Sequence, residues 1–297
     1  MRALAGSRRS RKDGEVSAMS KTMLVLLLAA AVLAGVACTS KSGAPVEQTP
    51  TSRAGAALSG ELTVFAAAAF TEAFQEMKAR LEESNPGLSI TFSFASSTQL
   101  RAQLEQGARA DVFASGDEKQ MDLARQAGLL AGEPAVFAHN RLVVILPRDN
   151  PAGIQTLQDL SRPGVKLDLV NENAPAGAYA RQFLRRASDA SAFGADFEQR
   201  ALANVVSEEE NVKQVVAKVR LGEADAGICL VSDVTPEAAS DLLTIDIPDD
   251  LNPIATHVIA VLEDAGDPAL ARAFLDYVLS AEGQAILQAQ NFIPVAP

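Results

Sequence analysis

Phe94-Ala95-Ser96-Ser97-Thr98-Gln99-Leu100 joins the strand pattern of Ser89 to Phe94 to a helix whose apolar side is Leu100 and Leu104 and which stops at Gly107. A helix that begins on small hydroxyl residues aims its free backbone N–H groups and the positive end of its dipole at whatever lies above the turn. Such a turn is an anion site made of backbone, or simply an ordinary N-cap. The chain makes the same kind of turn three more times, and that repetition favours the first reading.

Working outward, Leu62 to Phe65 reads as a short apolar strand followed by the small residues Ala66 to Ala69. Phe70, Phe74, Met77 and Leu81 then share one helical face, ended by Asn85-Pro86-Gly87. Strand Asp111 to Ser115, the turn Gly116-Asp117 and a helix closed by Gly128 complete a βαβαβα unit with short loops. That order predicts an α/β fold with a parallel, doubly wound sheet, whose ligands sit at the carboxyl ends of the strands.

A second unit follows. Arg141 to Pro147 is a strong strand, Leu157 to Leu160 a short helix and Lys166 to Val170 another strand. Pro175-Ala176-Gly177 opens a helix carrying Tyr179, Phe183 and Leu184, with proline at the position where its missing N–H costs nothing. The acidic run Glu208-Glu209-Glu210 reads as a solvated helix N-terminus complementing the dipole, ahead of the apolar face Val212, Val215, Val216 and Val219. Strands are expected at Ala224 to Val231, Leu242 to Pro248 and His257 to Leu262, and helices at Pro268 to Leu279 and Ala281 to Gln290. Length alone favours two lobes. Residues 61–146 with 255–297 are expected to form the first and 147–254 the second, the chain crossing at strands 142–147 and 257–262.

The N-terminus is a targeting segment. A basic stretch ends at Lys21, the apolar run Thr22 to Ala37 is short for a spanning helix, and small residues lead to Cys38. Residues 1–37 thus read as a lipoprotein signal with Cys38 as the lipid attachment site; cleavage without lipid and an uncleaved anchor are the alternatives. Residues 38–60, rich in Ser, Thr, Pro, Gly and Ala, read as a flexible tether.

Composition narrows function. The chain has 297 residues, a formal net charge of −11, two His, two Cys and no Trp. Six of its 26 Lys and Arg residues lie in the first 37, so the body is more acidic than the whole. A body of that charge is a poor ligand for nucleic acid or for an anionic membrane surface. The His and Cys counts exclude a His/Cys-rich metal site, and Cys229, inside an apolar run, reads as a buried small hydrophobe. His139 and His257 adjoin apolar strands without ligand partners and read as structural. No catalytic serine elbow, phosphate-loop lysine or dinucleotide glycine pattern occurs, so no enzyme activity and no cofactor are expected.

Six segments, in order, carry a resemblance: Val64 to Thr71, Phe94 to Leu100, Gly107 to Ser115, Pro175 to Tyr179, Glu210 to Val212, and Ala226-Gly227-Ile228 with Ser232-Asp233. Together they resemble the periplasmic molybdate-binding proteins, the substrate-capture subunits of molybdate ABC importers. The resemblance implies the two-lobe, type II periplasmic-binding-protein fold with an interlobe anion cleft. It also implies a monomer that binds molybdate or tungstate through backbone N–H groups and hydroxyls. The partners it implies are a membrane permease and its ATPase; with the lipoprotein signal, the expected location is lipid-anchored on the extracytoplasmic face. The family's ligand positions fall on Ala69, Ser97, Ala176, Val212 and Leu230. Ala69 stands where the family has serine and Leu230 where it has tyrosine, so two hydroxyls are lost; Ser96, Thr98 or Ser232 are the neighbours that could replace them. Another oxyanion such as sulfate, thiosulfate or phosphate, or a ligand sensor outside transport, is the alternative.

Overall fold

A computed structural model describes residues 57–295. The expected signal peptide, Cys38 and most of the expected tether lie outside the described residues.

Strand β1 (Ser59–Ala67) starts two residues before the expected body and ends in a single 3-10 turn at Ala68–Phe70. Helix α1 (Thr71–Ser84) buries Ala73, Phe74, Met77 and Leu81, the face its spacing predicts. Strand β2 (Gly87–Ala95), helix α2 (Ser97–Glu105), strand β3 (Val112–Ser115) and helix α3 (Glu118–Gln126) follow. β1 lies between β2 and β3 and is parallel to both. In register, Ala67 is opposite Ala95 and Ala66 opposite Ala114. The first three turns of the chain therefore leave the sheet side by side on its carboxyl edge.

Strand β4 (Ala135–Asn140) adds to this first sheet, and strand β5 (Leu142–Pro147) starts the second. β5, expected to end the first lobe and to carry the crossing, pairs antiparallel with strands of the second sheet on both sides. All six of its residues are buried. A fully apolar strand marks the centre of some sheet and carries no information on which, so the sequence could not place it. The chain changes sheets at Arg141, whose N–H donates to the Asn140 side chain at 2.8 Å.

The second sheet continues with β6 (Leu167–Val170), helix α4 (Pro175–Asp189), helix α5 (Phe197–Ala203), strand β7 (Val205–Glu209), helix α6 (Val212–Arg220), strand β8 (Ala226–Leu230), the short helix α7 (Pro236–Ala239) and strand β9 (Leu242–Asp246). Its order is β7-β6-β8-β5-β9, with β7, β6 and β8 parallel and β5 and β9 antiparallel. Ser207 to Glu209 belongs to edge strand β7, correcting the helix-terminus reading of the acidic run. The glutamates are drawn into pairs: Glu208 with the buried Arg181 of α4, and Glu209 with Lys218 at 2.6 Å.

Strand β10 (Ala255–Val261) returns to the first sheet, between β3 and β4 and antiparallel to both. Helices α8 (Pro268–Leu279) and α9 (Ala281–Ala289) and the short strand β11 (Ile293–Pro294) close the chain, giving the order β11-β4-β10-β3-β1-β2. The returning segment is tied to the outgoing one by Asn252. Its side chain accepts from Leu142 N–H at 3.0 Å and donates to Leu142 C=O at 2.8 Å. Phe70, Phe74, Phe137 and Phe274 fill the core beneath the first sheet, Phe70 and Phe137 meeting edge to face at 5.0 Å. Each sheet thus holds three parallel strands extended by antiparallel ones.

Candidate functional site

The five mapped positions, Ala69, Ser97, Ala176, Val212 and Leu230, line one cavity of about 40 Å3. A single water needs roughly 10–15 Å3 by the same measure, so the space suits a compact ion. Four helix starts meet there. The 3-10 turn after β1 brings Ala68 and Ala69, α2 brings Ser96 and Ser97, α4 brings Pro175 and Ala176, and α6 brings Asn211 and Val212. Two come from the first sheet and two from the second, all at carboxyl ends of parallel strands. First-turn amides have no acceptor within their own helix. No side chain caps the turn at Ala67 or the helix at Ala174. At α6 the Asn211 cap accepts from Lys213 and Gln214, leaving the Val212 N–H outside the cap.

Ser97 is 1% exposed, and its Oγ accepts the Gly116 N–H at 2.8 Å. That fills an acceptor position and leaves the hydroxyl proton as the group it can offer a ligand. Ser96 is spent on the helix: its Oγ accepts from Gln99 N–H, and its own N–H and O–H both donate to Gln99 Oε1. Thr98 donates its hydroxyl to Asn173 C=O at 2.7 Å, and Ser232 accepts from Asn140 at 2.8 Å. Ser96 and Thr98 have committed their hydroxyl protons, and neither Thr98 nor Ser232 lines the cavity, so none of the three replaces a lost family hydroxyl there.

Tyr179 and Gly116 also line the cavity, and sequence reasoning assigned neither a role. The signal for Tyr179 was its position three residues after Ala176, on the same side of α4. Its phenol oxygen accepts Thr256 N–H at 3.4 Å, and burial pushes its pKa up to about 12, so it keeps its proton at neutral pH. Gly116 arrives through β3, and its place beside β1 was set by sheet order alone.

The lining contains no Lys or Arg. Glu210, exposed, stands at the rim. The nearest cation in sequence is Lys213, one residue past Val212. Its ammonium lies 2.7 Å from Glu72 on α1 and 3.5 Å from the buried Asp233. Burial opposes the Lys213 charge, but the two carboxylates outweigh it and hold its pKa above the ordinary value. Burial likewise pushes Asp233 up to about 6 against the pull of Lys213.

α4 is set against the end of β6 with no clearance. A Cβ on Gly177 would lie 2.0 Å from Asn171 C=O and 2.4 Å from Val170 C=O. Arg181, 7% exposed, donates to Val170 C=O at 3.1 Å and Gly177 C=O at 3.3 Å. These contacts fix where the Ala176 amide stands.

Residues 62–293 match the family described as bacterial extracellular solute-binding protein. The chain is 39% identical over 267 residues to the molybdate-binding protein ModA of Mycobacterium tuberculosis, covering 90% of this chain and 95% of the relative. Its fold resembles the periplasmic molybdate-binding protein of Azotobacter vinelandii, with a TM-score of 0.67 at 21% identity over 80% of this chain and 99% of the other. It also resembles the sulfate-binding protein SubI of M. tuberculosis, with a TM-score of 0.71 at 17% identity over 80% of this chain and 88% of the other. With the extent of the family match and of the 39% identity, this chain belongs to the bacterial extracellular solute-binding proteins.

Proposed function

We propose that this protein is the extracytoplasmic substrate-binding subunit of an ABC importer and that its ligand is molybdate or tungstate. The observation that carries the reading is the meeting of four helix starts, from two sheets, on one ion-sized cavity without a cationic side chain. A tetrahedral dianion held this way is neutralised by fixed dipoles and needs no proton acceptor in the site. The ligand contacts are the amides of Ala69, Ala176 and Val212, the amide and hydroxyl of Ser97, and the apolar wall of Leu230.

In this reading the two sheets are two lobes, 59–140 with 255–295 and 142–246. The anion binds to one lobe, closure brings the amides of the other onto it, and the closed form hands the ion to a membrane permease driven by an ATPase. The protein acts as a monomer, tethered by lipid at Cys38 to the outer face of the membrane. Residence outside the cytoplasm also accords with the family to which the chain belongs.

A second reading, a smaller or different oxyanion such as sulfate, is favoured by one observation. Ala69 and Leu230 offer no hydroxyl, the Ser96 and Thr98 hydroxyls donate elsewhere, and Ser232 does not line the cavity. Thermal unfolding with molybdate, tungstate, sulfate, phosphate and thiosulfate separates the two. A ligand at 100 times its Kd stabilises by about 2.7 kcal/mol. The expected result is a rise in Tm with molybdate and tungstate; a rise with sulfate or phosphate alone moves the substrate, and no rise with any of the five rejects the binding reading.

A further inference from the structure

We propose that His257 is a positioning residue for the anion site, acting through the backbone of Gly116 on the hydroxyl of Ser97. The inference rests on the binding reading above and adds to it a residue that does not touch the cavity.

His257 lies on β10 and is completely buried, its ring 4.9 Å from that of Phe70, 5.7 Å from Phe292 and 6.1 Å from Phe137. Nδ1 stands 3.1 Å from the Gly116 carbonyl oxygen, and Nε2 has no partner among the described residues. A carbonyl can only accept, so Nδ1 carries the proton and Nε2 is a bare lone pair among phenyl rings. That is the less costly arrangement, because a buried N–H without an acceptor is the rarer defect. Burial lowers the pKa of the ring to about 4 despite the Gly116 bond, so the ring is neutral at physiological pH and its tautomer is fixed.

Gly116 is held on both sides. Its carbonyl takes the His257 proton, and its own N–H donates to Ser97 Oγ at 2.8 Å. Glycine has no side chain to restrict this turn, so without the imidazole the backbone at 116 has more freedom than any other residue would allow. Fixing that backbone fixes the N–H that occupies a lone pair of Ser97, and this in turn limits where the Ser97 proton can point. A donor aimed before the ligand arrives does not have to be ordered on binding. This matters more here than in relatives with more hydroxyls, because Ser97 is the one mapped position that retains a side-chain donor.

The test is a double-mutant cycle read by calorimetric titration of the purified protein with molybdate. His257→Phe, which keeps ring volume and removes the donor, is expected to weaken binding about tenfold. In a Ser97→Ala background the same change is expected to alter Kd less than about twofold, because residues acting as one unit are not additive. His257→Asn, whose amide can replace the Nδ1–H, is expected to restore binding to within about threefold of the parent even if Tm falls. An equal loss with and without the Ser97 hydroxyl, or no loss, overturns the proposal. Nitrogen NMR of the unmutated protein provides a check independent of variant folding: a neutral Nδ1–H tautomer is expected, and an Nε2–H tautomer overturns the clamp. If the unmutated protein binds none of molybdate, tungstate or sulfate, the binding reading falls and takes this one with it. If it binds and the cycle is additive, only the role of His257 falls.

Discussion

The Lys213 ammonium on α6 and the Glu72 carboxylate on α1 meet at 2.7 Å, joining a helix of the second sheet to a helix of the first, one residue from the cavity-lining Val212. Both side chains are partly exposed, so the pair is a modest one. Its place gives it a function that its strength does not: it can form only when the two helices are this close. Glu72→Gln is expected to weaken molybdate binding about two- to fivefold while leaving the Tm of the ligand-free protein nearly unchanged. Titration at low and high salt checks this, since the loss should shrink as salt screens the pair.

Ser97 is the side chain on which binding should depend most. Ser97→Ala removes a hydroxyl at the cavity and also the acceptor for Gly116 N–H. A hydrogen bond to a charged group contributes about 1.5–3 kcal/mol. The expected loss is therefore about 10- to 100-fold in Kd, measured by titration.

The opposite change is available at Ala69. Ala69 lines the cavity from the turn after β1. Ala69→Ser adds one hydroxyl with little volume and is expected to tighten molybdate binding about three- to tenfold. An unchanged Kd would mean that the added hydroxyl bonds elsewhere in the turn.

Gly177→Ala is expected to cost more than about 2 kcal/mol of stability, because a Cβ at 2.0 Å from Asn171 C=O forces α4 off the end of β6. Binding should fall as well, since the Ala176 amide moves with the helix. Chemical denaturation and titration of the same variant check both outcomes.

Asp168 on β6 is fully buried with both carboxylate oxygens unpaired among the described residues, close to Glu209 and the Lys218 that pairs with it. Burial, and then the charge of Glu209, push its pKa up to about 7. The folded state therefore binds this proton more tightly than the unfolded chain, and stability falls as pH rises between about 4 and 7. Asp168→Asn removes the charge. It is expected to stabilise by on the order of 2 kcal/mol at pH 8 and to have little effect near pH 4, measured as Tm across that range.

The sequence by itself determined the local elements. Periodicity located α1, the small-residue turns after β1 and β2, and the proline that opens α4, because each depends on contacts within a few residues. The family's motifs then placed Ala69, Ser97, Ala176, Val212 and Leu230 as ligand positions, and the structure brings these five to one cavity. Tertiary structure alone decided which sheet β5 joins, since an all-apolar strand fits the centre of either. It turned the acidic run at 208–209 into an edge strand whose charges pair with Arg181 and Lys218. It also committed the hydroxyls of Ser96 and Thr98 to other acceptors, left Ser232 outside the cavity lining, and brought His257, 141 positions from Gly116, to that residue's carbonyl behind Ser97. Hydrogen-bond partners distant in sequence follow from strand order and packing, and neither is written in the spacing of residues along the chain.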